Sequence, residues 1–415
     1  MKNFNPVRGT YDYMPNIASF RESVREIIIK NYQANGYNLI TTPVLESLDF
    51  LNSSEGGDNL KLMFKTIKRG GKLDLTKPDL TESDLVEEGL RYDLTVPLAR
   101  FYSCNRDKLP TPFKSIQIGC SYRAERPQRG RNREFVQCDI DVIGDSSINA
   151  ELELLKTSLE TYKKLGLNNL TVKINNRKIL NSLVVYAGFK QEDVNTVCVT
   201  LDKLDKISIN GVMMELIEKG FETENINKLV DILNEIVEKG LDGVLSFGVE
   251  EKDVAELKYL LSNLKILIPD ANITFDISIV RGQGYYTGTV YEVYTDGFSG
   301  AIGGGGRYDN MVGKFSGINA PAVGISIGFE PVVMLLLEGG KKLTTKSNLA
   351  LIYDLDDDII NVFNKKDELM KDYNVSLFIR PKNMKNFYEK IVEVADFVAV
   401  YKDLLQGKDI KQLEK

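Results

Sequence analysis

Hydrophobic positions along the chain alternate between helical and strand-like spacing. Phe20, Val24, Ile27, Ile28 and Tyr32 recur at helical intervals after a Ser19-x-x-Glu22 capping-box pattern and stop at Gly36, which predicts a first helix with one buried face. Residues 38–47 (NLITTPVLES) read as a strand whose Pro43 cannot donate to a ladder, so it belongs at a sheet edge or at a seam between two copies. Residues 112–144 read as two strands around a loop: Ile116, Ile118, Cys120 and Tyr122 alternate on the first, and Val136, Cys138, Ile140 and Val142 on the second. Residues 147–165 predict an amphipathic helix with Leu152, Leu155, Leu159 and Tyr162 on its apolar face, stopped by Gly166.

Beyond that helix the pattern changes. Residues from about 175 to 265 are rich in Lys, Glu, Leu and Asn, contain no proline, and keep a helical period through Val230, Ile232, Leu233, Ile236 and Val237, which predicts a helical insertion. Strand patterns return over residues 273–280 and 287–294, ahead of the glycine run 303–306. A short helix over residues 332–338 follows Pro331, and residues 347–415 read strand, helix, strand, helix, strand, a small α/β module.

Composition narrows the chemistry. The chain of 415 residues carries 53 Lys and Arg against 59 Asp and Glu, a net charge of −6, so any nucleic-acid contact must come from a local patch. It contains no histidine, which excludes a Ser-His-Asp or Cys-His nucleophile, an imidazole proton shuttle and a His-ligated metal. Cys104, Cys120, Cys138 and Cys198 show neither zinc-ribbon nor thioredoxin spacing and read as reduced thiols. The amino terminus has no apolar signal core, and the longest apolar stretch, residues 323–337, is interrupted by Glu330 and Pro331. No membrane span and a cytoplasmic location are the expectation.

The strand REFVQCDID places Phe135, Gln137, Asp139 and Asp141 on one face, because side chains alternate along a strand. An aromatic ring, an amide and two carboxylates are costly to bury without partners, so that face lines a pocket. The preceding loop holds Arg123, Arg126, Arg129, Arg131 and Arg133, whose natural partner is a polyanion such as a phosphate, a nucleotide or an RNA backbone. A charge run alone is more often a solvated loop; adjacency to the polar strand face favours the functional reading. Gly282-Gln283-Gly284 runs into a strand rather than opening a helix, and Lys314 is followed by Phe315, so neither a dinucleotide fingerprint nor a P-loop is present. The run Gly303 to Gly306 is either close strand packing or backbone opened to a ligand, and nothing local separates the two.

RGTYDYMP (8–15), LRYDLTVPLAR (90–100), YRAERPQRGRNREFVQCDID (122–141), VRGQGYYTGTVYE (280–292) and GGGRYD (304–309) resemble, in order, the class II histidyl-tRNA synthetase family. The resemblance implies an α+β fold, a class II synthetase-like antiparallel sheet flanked by helices. Residues 1–335 would form the catalytic core with its helical insertion, and residues 345–415 a shortened anticodon-binding-like α/β domain. It also implies a homodimer through the first helix and the Pro43 strand. By the same resemblance Asp93, Thr95 and Gln137 hold the α-amino group of free histidine, and Asp141, Tyr285 and Tyr286 surround its imidazole. Arg123 and Arg281 are the catalytic arginines, holding the carboxylate and the ATP α-phosphate. Glu125, Arg131 and Phe135 complete the ATP site, with Phe135 stacked on adenine. ATP and Mg²⁺ are the implied cofactors, no metal ligand is assigned in the protein, and tRNA is the acceptor.

Two departures keep a second reading open. The family's third signature ends in an arginine that contacts the ATP γ-phosphate, whereas this chain reads Gly328-Phe329-Glu330-Pro331. Proline offers neither charge nor donor there, and an arginine at 331 is expected to raise ATP affinity. Gln283-Gly284 replaces the usual Leu-Asp before the paired tyrosines. The alternative is a non-aminoacylating paralogue resembling the histidine-binding regulatory subunit of ATP phosphoribosyltransferase, with that enzyme's catalytic subunit as partner.

Overall fold

The computed structural model describes residues 4–53, 57–280, 284–341, 343 and 346–413. The chain divides into two units: Val7–Thr10 with Ile27–Gly339, and Tyr11–Glu26 with Gly340–Lys415 and the first residues of the chain.

In the larger unit, eight strands form one mixed sheet. They are β1 (Asn38–Leu39), β2 (Phe113–Tyr122), β3 (Glu134–Ile143), β4 (Leu170–Asn176), β5 (Asn272–Phe275), β6 (Thr289–Thr295), β7 (Gly303–Arg307) and β8 (Ala322–Gly328). Their spatial order is β1-β2-β3-β8-β7-β6-β4-β5. The strands from β2 across to β4 pair antiparallel, and the two edge pairs, β1 with β2 and β4 with β5, are parallel.

Register gives the sheet two unlike faces. Ile116, Ile140, Ile325, Gly305, Tyr291 and Ile174 stand side by side across six strands, a continuous apolar row. The helix Asn149–Leu165 packs on that side with Leu154, Leu155, Leu159, Tyr162 and Leu165 fully buried. Leu152, expected on the apolar face, is only half-buried, and Leu154 takes the buried place. Gly166 ends the helix at φ +92°, a backbone conformation that L side chains rarely adopt. On the opposite face the row reads Gln117, Asp139, Ser326, Gly304, and the next reads Ser115, Asp141, Gly324, Gly306. Small neighbours on both sides of β3 leave a trough above its carboxylates.

Several sequence expectations shift in the structure. Residues 38–47 do not form one strand. Asn38–Leu39 joins the large sheet, Leu45–Ser47 pairs with Val86–Leu90 in a separate three-stranded sheet, and Pro43 lies in the turn between them. Arg91 Nη1 takes the carbonyls of Thr42 (2.8 Å) and Pro43 (3.3 Å) and so holds that turn. The first helix runs Pro15–Ala34, starting before Ser19 because proline suits a helix's first turn. Ser19 is therefore interior, and its carbonyl accepts the Ser23 hydroxyl at 3.0 Å. Strand character over 273–280 ends at Phe275.

Five helices from Arg177–Tyr186 to Glu251–Leu267 separate β4 from β5. In Thr223–Lys239 the buried stripe is Ile226, Leu229, Ile232, Leu233 and Ile236, while Val237 is 74% exposed, contrary to its expected place in the apolar period. In the smaller unit, Ser347–Tyr353 pairs parallel with Tyr373–Ile379 and Phe397–Val400, and helices Ile359–Leu369 and Met384–Ile391 make the connections. Leu349 and Leu351 pack with Val362 on one face, and Ala350 and Ile352 with Ile391 on the other.

Candidate active site

The trough over β3 closes into a pocket with a cavity of about 110 Å³, bounded by Asp93, Thr95, Arg123, Gln137, Asp139, Asp141, Tyr285, Tyr286, Tyr308 and the glycines of β7 and β8. The glycine run is explained by close packing. A Cβ on Gly305 would lie 2.0 Å from the Gly324 carbonyl oxygen, one on Gly306 2.8 Å from Tyr286 Cδ1, and one on Gly324 1.8 Å from Asp141 Oδ1. Side chains at 306 and 324 would also fill the space beside Asp141 and Tyr286.

Three carboxylates are buried here: Asp93, Asp139 and Asp141 are 2%, 4% and 3% exposed. Asp93 precedes the helix Thr95–Asn105 and accepts the Val96 N–H on Oδ1 at 3.2 Å, a bond of N-cap type. Burial pushes its pKa up to about 6, opposed by that backbone bond and by the charge of Arg123. Asp141 Oδ1 accepts the Tyr308 hydroxyl at 2.6 Å. Burial raises the pKa values of both Asp139 and Asp141; Asp141 pushes Asp139 further up, and the Tyr308 bond draws Asp141 back down. Among the described residues, four buried acceptors of the pocket's side chains have no protein partner: Asp93 Oδ2, Gln137 Oε1, Asp139 Oδ1 and Asp141 Oδ2. An array of acceptors without donors suits a ligand rich in N–H groups.

The aromatic wall comes from two segments. Tyr285 and Tyr286 ring centroids lie 4.8 Å apart, and Tyr285 meets Tyr308 edge-on at 6.1 Å. Tyr308 is held in place by its neighbours in sequence. Arg307 forms a buried pair with Glu151 (2.5 and 2.7 Å) and donates to the carbonyls of Asp145 and Ser147, while Asp309 Oδ1 accepts the Ala322 N–H at 3.0 Å. Tyr308 lies within GGGRYD, yet the sequence assigns it no role. Its side chain follows the end of β7, so strand alternation alone could not place it in the pocket.

The arginine loop joins β2 to β3. Among the described residues lining the pocket, Arg123 is the cation: its Nε donates to the Tyr92 carbonyl at 3.0 Å, and its guanidinium lies 5.0 Å from the centroid of the Phe135 ring. Gln128 and Arg131 exchange two backbone bonds of 2.9 Å, which turns the loop through Gly130 at φ +72°. Arg133 Nε donates to the Glu125 carbonyl at 3.1 Å, and Arg129 Nη2 donates to both carboxylate oxygens of Glu338, at 3.0 and 2.7 Å. A Cβ on Gly130 would lie 3.5 Å from Pro331 Cβ, so the loop tip rests on the buried first turn of the helix Phe329–Glu338. Arg126 and Arg131 extend exposed side chains.

The structure thus gathers Asp93, Thr95, Arg123, Gln137, Asp141, Tyr285 and Tyr286 around one cavity, with Phe135 beside Arg123. Glu125 and Arg131 stand in the loop, outside the cavity lining. Arg281, with Gly282 and Gln283, lies outside the described residues.

The family model described as Histidyl-tRNA synthetase matches residues 9–332. A histidine–tRNA ligase of Leifsonia xyli subsp. xyli is 41% identical over 347 residues, covering 80% of each chain. A probable histidine–tRNA ligase of Tropheryma whipplei is 39% identical over 371 residues, covering 84% of each. A solved histidyl-tRNA synthetase from Nostoc superposes with a TM-score of 0.74 at 24% identity, over 99% of this chain and 97% of that one. A Bacillus halodurans structure described as an ATP phosphoribosyltransferase regulatory subunit/histidyl-tRNA synthetase gives 0.75 at 19% identity, over 96% and 97%. The two superpositions establish the fold, that of the class II synthetases. On the family match and the two relatives, the chain belongs to the histidyl-tRNA synthetase family.

Proposed function

We propose that the protein is a histidine–tRNA ligase, activating histidine with ATP to histidyl-adenylate and passing it to the terminal ribose of tRNA. The observation that carries this reading is the set of unpartnered acceptors on Asp93, Gln137 and Asp141 next to the guanidinium of Arg123. Asp93, Thr95 and Gln137 hold the ammonium of the amino acid, Asp141 with Tyr285 and Tyr286 holds its side chain, and Arg123 pairs with the carboxylate and the α-phosphate. Arg281 is proposed as the second such arginine. Two cations at that point relieve the repulsion between a carboxylate nucleophile and a phosphate and stabilise the charge that develops in the transition state. ATP enters as its Mg²⁺ complex, with Phe135 against adenine and Glu125 and Arg131 along the nucleotide.

Pro331 removes the arginine expected near the γ-phosphate, but the loop resting on it carries Arg131 one residue from the contact at Gly130. The regulatory-subunit alternative is less well supported: a sensor of free histidine needs no phosphate-competent loop, and the relatives at 39% and 41% identity are named as ligases. Residues 1–335 act as the catalytic core and residues 345–415 as the anticodon-side domain. The protein works in the cytoplasm, in keeping with four cysteines that form no disulfide, and as a homodimer, with exposed Leu39, Val44 and Leu45 around Pro43 offering apolar surface. No helix among the described residues is long and apolar enough to cross a membrane. Histidine-dependent exchange of pyrophosphate into ATP by the purified protein, with and without tRNA, tests the reading. Exchange supports a ligase, and histidine binding without exchange supports a sensor.

A further inference from the structure

Asp139 has no part in the assignment above, yet it stands at the centre of the pocket floor. Side chains two apart on a strand lie on the same face roughly 7 Å apart, so Asp139 sits between Gln137 and Asp141. It is 4% exposed, lines the cavity, and leaves Oδ1 without a protein partner. Its cross-strand neighbours cannot neutralise it. Ser326 supplies one hydrogen bond. Gln117 is committed elsewhere, its Oε1 accepting the Thr42 hydroxyl at 2.8 Å and its Nε2 donating to the Leu94 carbonyl at 3.0 Å. Among the described residues, the charged and titratable groups that act on it or feel its charge are Asp141 on its own strand, Asp93 and Arg91 from the segment before the helix Thr95–Asn105, Tyr308 after β7, and Tyr32 of the first helix. The charge of Asp141 also reaches Tyr37 and Tyr291.

Donor counting then constrains the ligand. An amino acid's ammonium has three N–H donors, which Asp93 Oδ2 and Gln137 Oε1 can share with Thr95. Asp139 Oδ1 and Asp141 Oδ2 remain for the side chain. A neutral imidazole has one N–H donor and one bare nitrogen, so it would turn a lone pair toward a carboxylate; an imidazolium has two donors and matches both. We infer that Asp139 is a second side-chain-binding carboxylate beside Asp141, and that this pocket holds histidine with its ring as imidazolium. Burial, and for Asp139 the charge of Asp141 as well, favours the protonated carboxyl in the empty pocket. When a neutral ring enters, that proton passes from carboxyl to ring nitrogen, COOH plus imidazole giving COO⁻ plus imidazolium, with no net exchange with solvent. The imidazole nitrogen is the stronger base once a carboxylate faces it on each side, because the imidazolium then lies between two negative charges. A neutral isostere with a weakly basic ring is discriminated against by the same arrangement.

The inference rests on histidine being the ligand, and the test separates the two claims. Histidine labelled with ¹⁵N at both ring positions is bound to the full chain at pH 8, well above the unperturbed imidazole pKa of roughly 6.5, and the ring shifts are read by solid-state NMR. Two N–H-type resonances are expected in the wild type. One N–H and one bare nitrogen, with affinity at pH 8 weaker by about tenfold, one pKa unit, are expected for Asp139→Asn. A bare ring nitrogen in the wild type overturns the inference, as does an imidazolium unaffected by Asp139→Asn. No bound histidine at saturating concentration overturns the ligase reading itself, and this inference with it. If Asp139→Asn does not fold, the wild-type spectrum alone decides.

Discussion

Tyr308 donates its hydroxyl hydrogen to Asp141 Oδ1 across 2.6 Å, and the other oxygen of Asp141 faces the cavity without a protein partner. One bond therefore fixes the carboxylate's rotation and leaves its second oxygen for a ligand. The same bond favours the ionised form, acting against burial, which pushes the Asp141 pKa up. Tyr308→Phe removes that support, so the Asp141 pKa rises further and a smaller fraction is ionised near neutrality. The expected outcome is a KM for histidine raised by roughly ten- to a hundredfold at pH 7, equivalent to losing one hydrogen bond to a charged group. The loss should shrink as pH rises, with KM for ATP little changed. Pyrophosphate-exchange kinetics between pH 6 and 9 measure it.

The buried carboxylates also predict how stability varies with pH. Asp93 titrates near 6 in the folded chain, above the roughly 3.9 of an unfolded aspartate, and Asp139 and Asp141 are raised as well. A group whose folded pKa is raised binds its proton more tightly when folded. Its stabilising contribution is fully present below the unfolded pKa and is lost as pH climbs through the folded value. The ligand-free protein should therefore lose Tm from pH 4 toward pH 7 through these groups, less so in Asp93→Asn. Added histidine, which brings cationic donors, should raise Tm more at pH 7.5 than at pH 5. Differential scanning fluorimetry across that range checks both signs.

The strand face of the site was legible in the sequence because it depends only on period two: Gln137, Asp139 and Asp141 alternate with Cys138, Ile140 and Val142, and the sheet keeps that division. The loop arginines were legible as a polyanion site, but their individual fates were not. Glu338, which pairs with Arg129, lies more than 200 residues away in sequence. Tyr308 and the crowding around Gly305, Gly306 and Gly324 were hidden for the same reason, since both arise from strands brought together only by the fold. The break in residues 38–47 was missed because a strand pattern cannot report that Arg91 takes the carbonyls of Thr42 and Pro43.

Arg307 and Glu151 form a pair whose side chains are 9% and 1% exposed, with Thr289 donating to Glu151 at 2.7 Å. Removing Glu151 leaves the buried Arg307 with Asp309, 3.2 Å away, as its remaining ion partner, a loss toward the lower end of about 3–5 kcal/mol. Glu151→Ala should destabilise by that amount in urea titrations. Because Arg307 precedes Tyr308, the variant should also weaken histidine binding at temperatures where it stays folded. Glu151→Gln, which keeps an acceptor for Arg307, should lose less on both counts.

The proline at 331 bears on the triphosphate. Sequence alone predicts that an arginine there raises ATP affinity; the packing around Pro331 argues for the opposite outcome. Pro331 is buried in the first turn of its helix, with Gly130 against it and Phe298 about 3.0 Å from where a Gly130 Cβ would stand. An arginine side chain at 331 has to displace the loop tip, and with it Arg131, before its guanidinium can reach a phosphate. Pro331→Arg should therefore raise KM for ATP, while Arg131→Ala should raise it by roughly ten- to a hundredfold through loss of a charge-assisted bond to phosphate. If Arg131 substitutes for the absent arginine, the double variant should be no worse than Arg131→Ala alone, since the displaced loop no longer carries the interacting charge. Steady-state exchange kinetics at saturating histidine distinguish this from additive losses, which would place the triphosphate contact elsewhere in the loop.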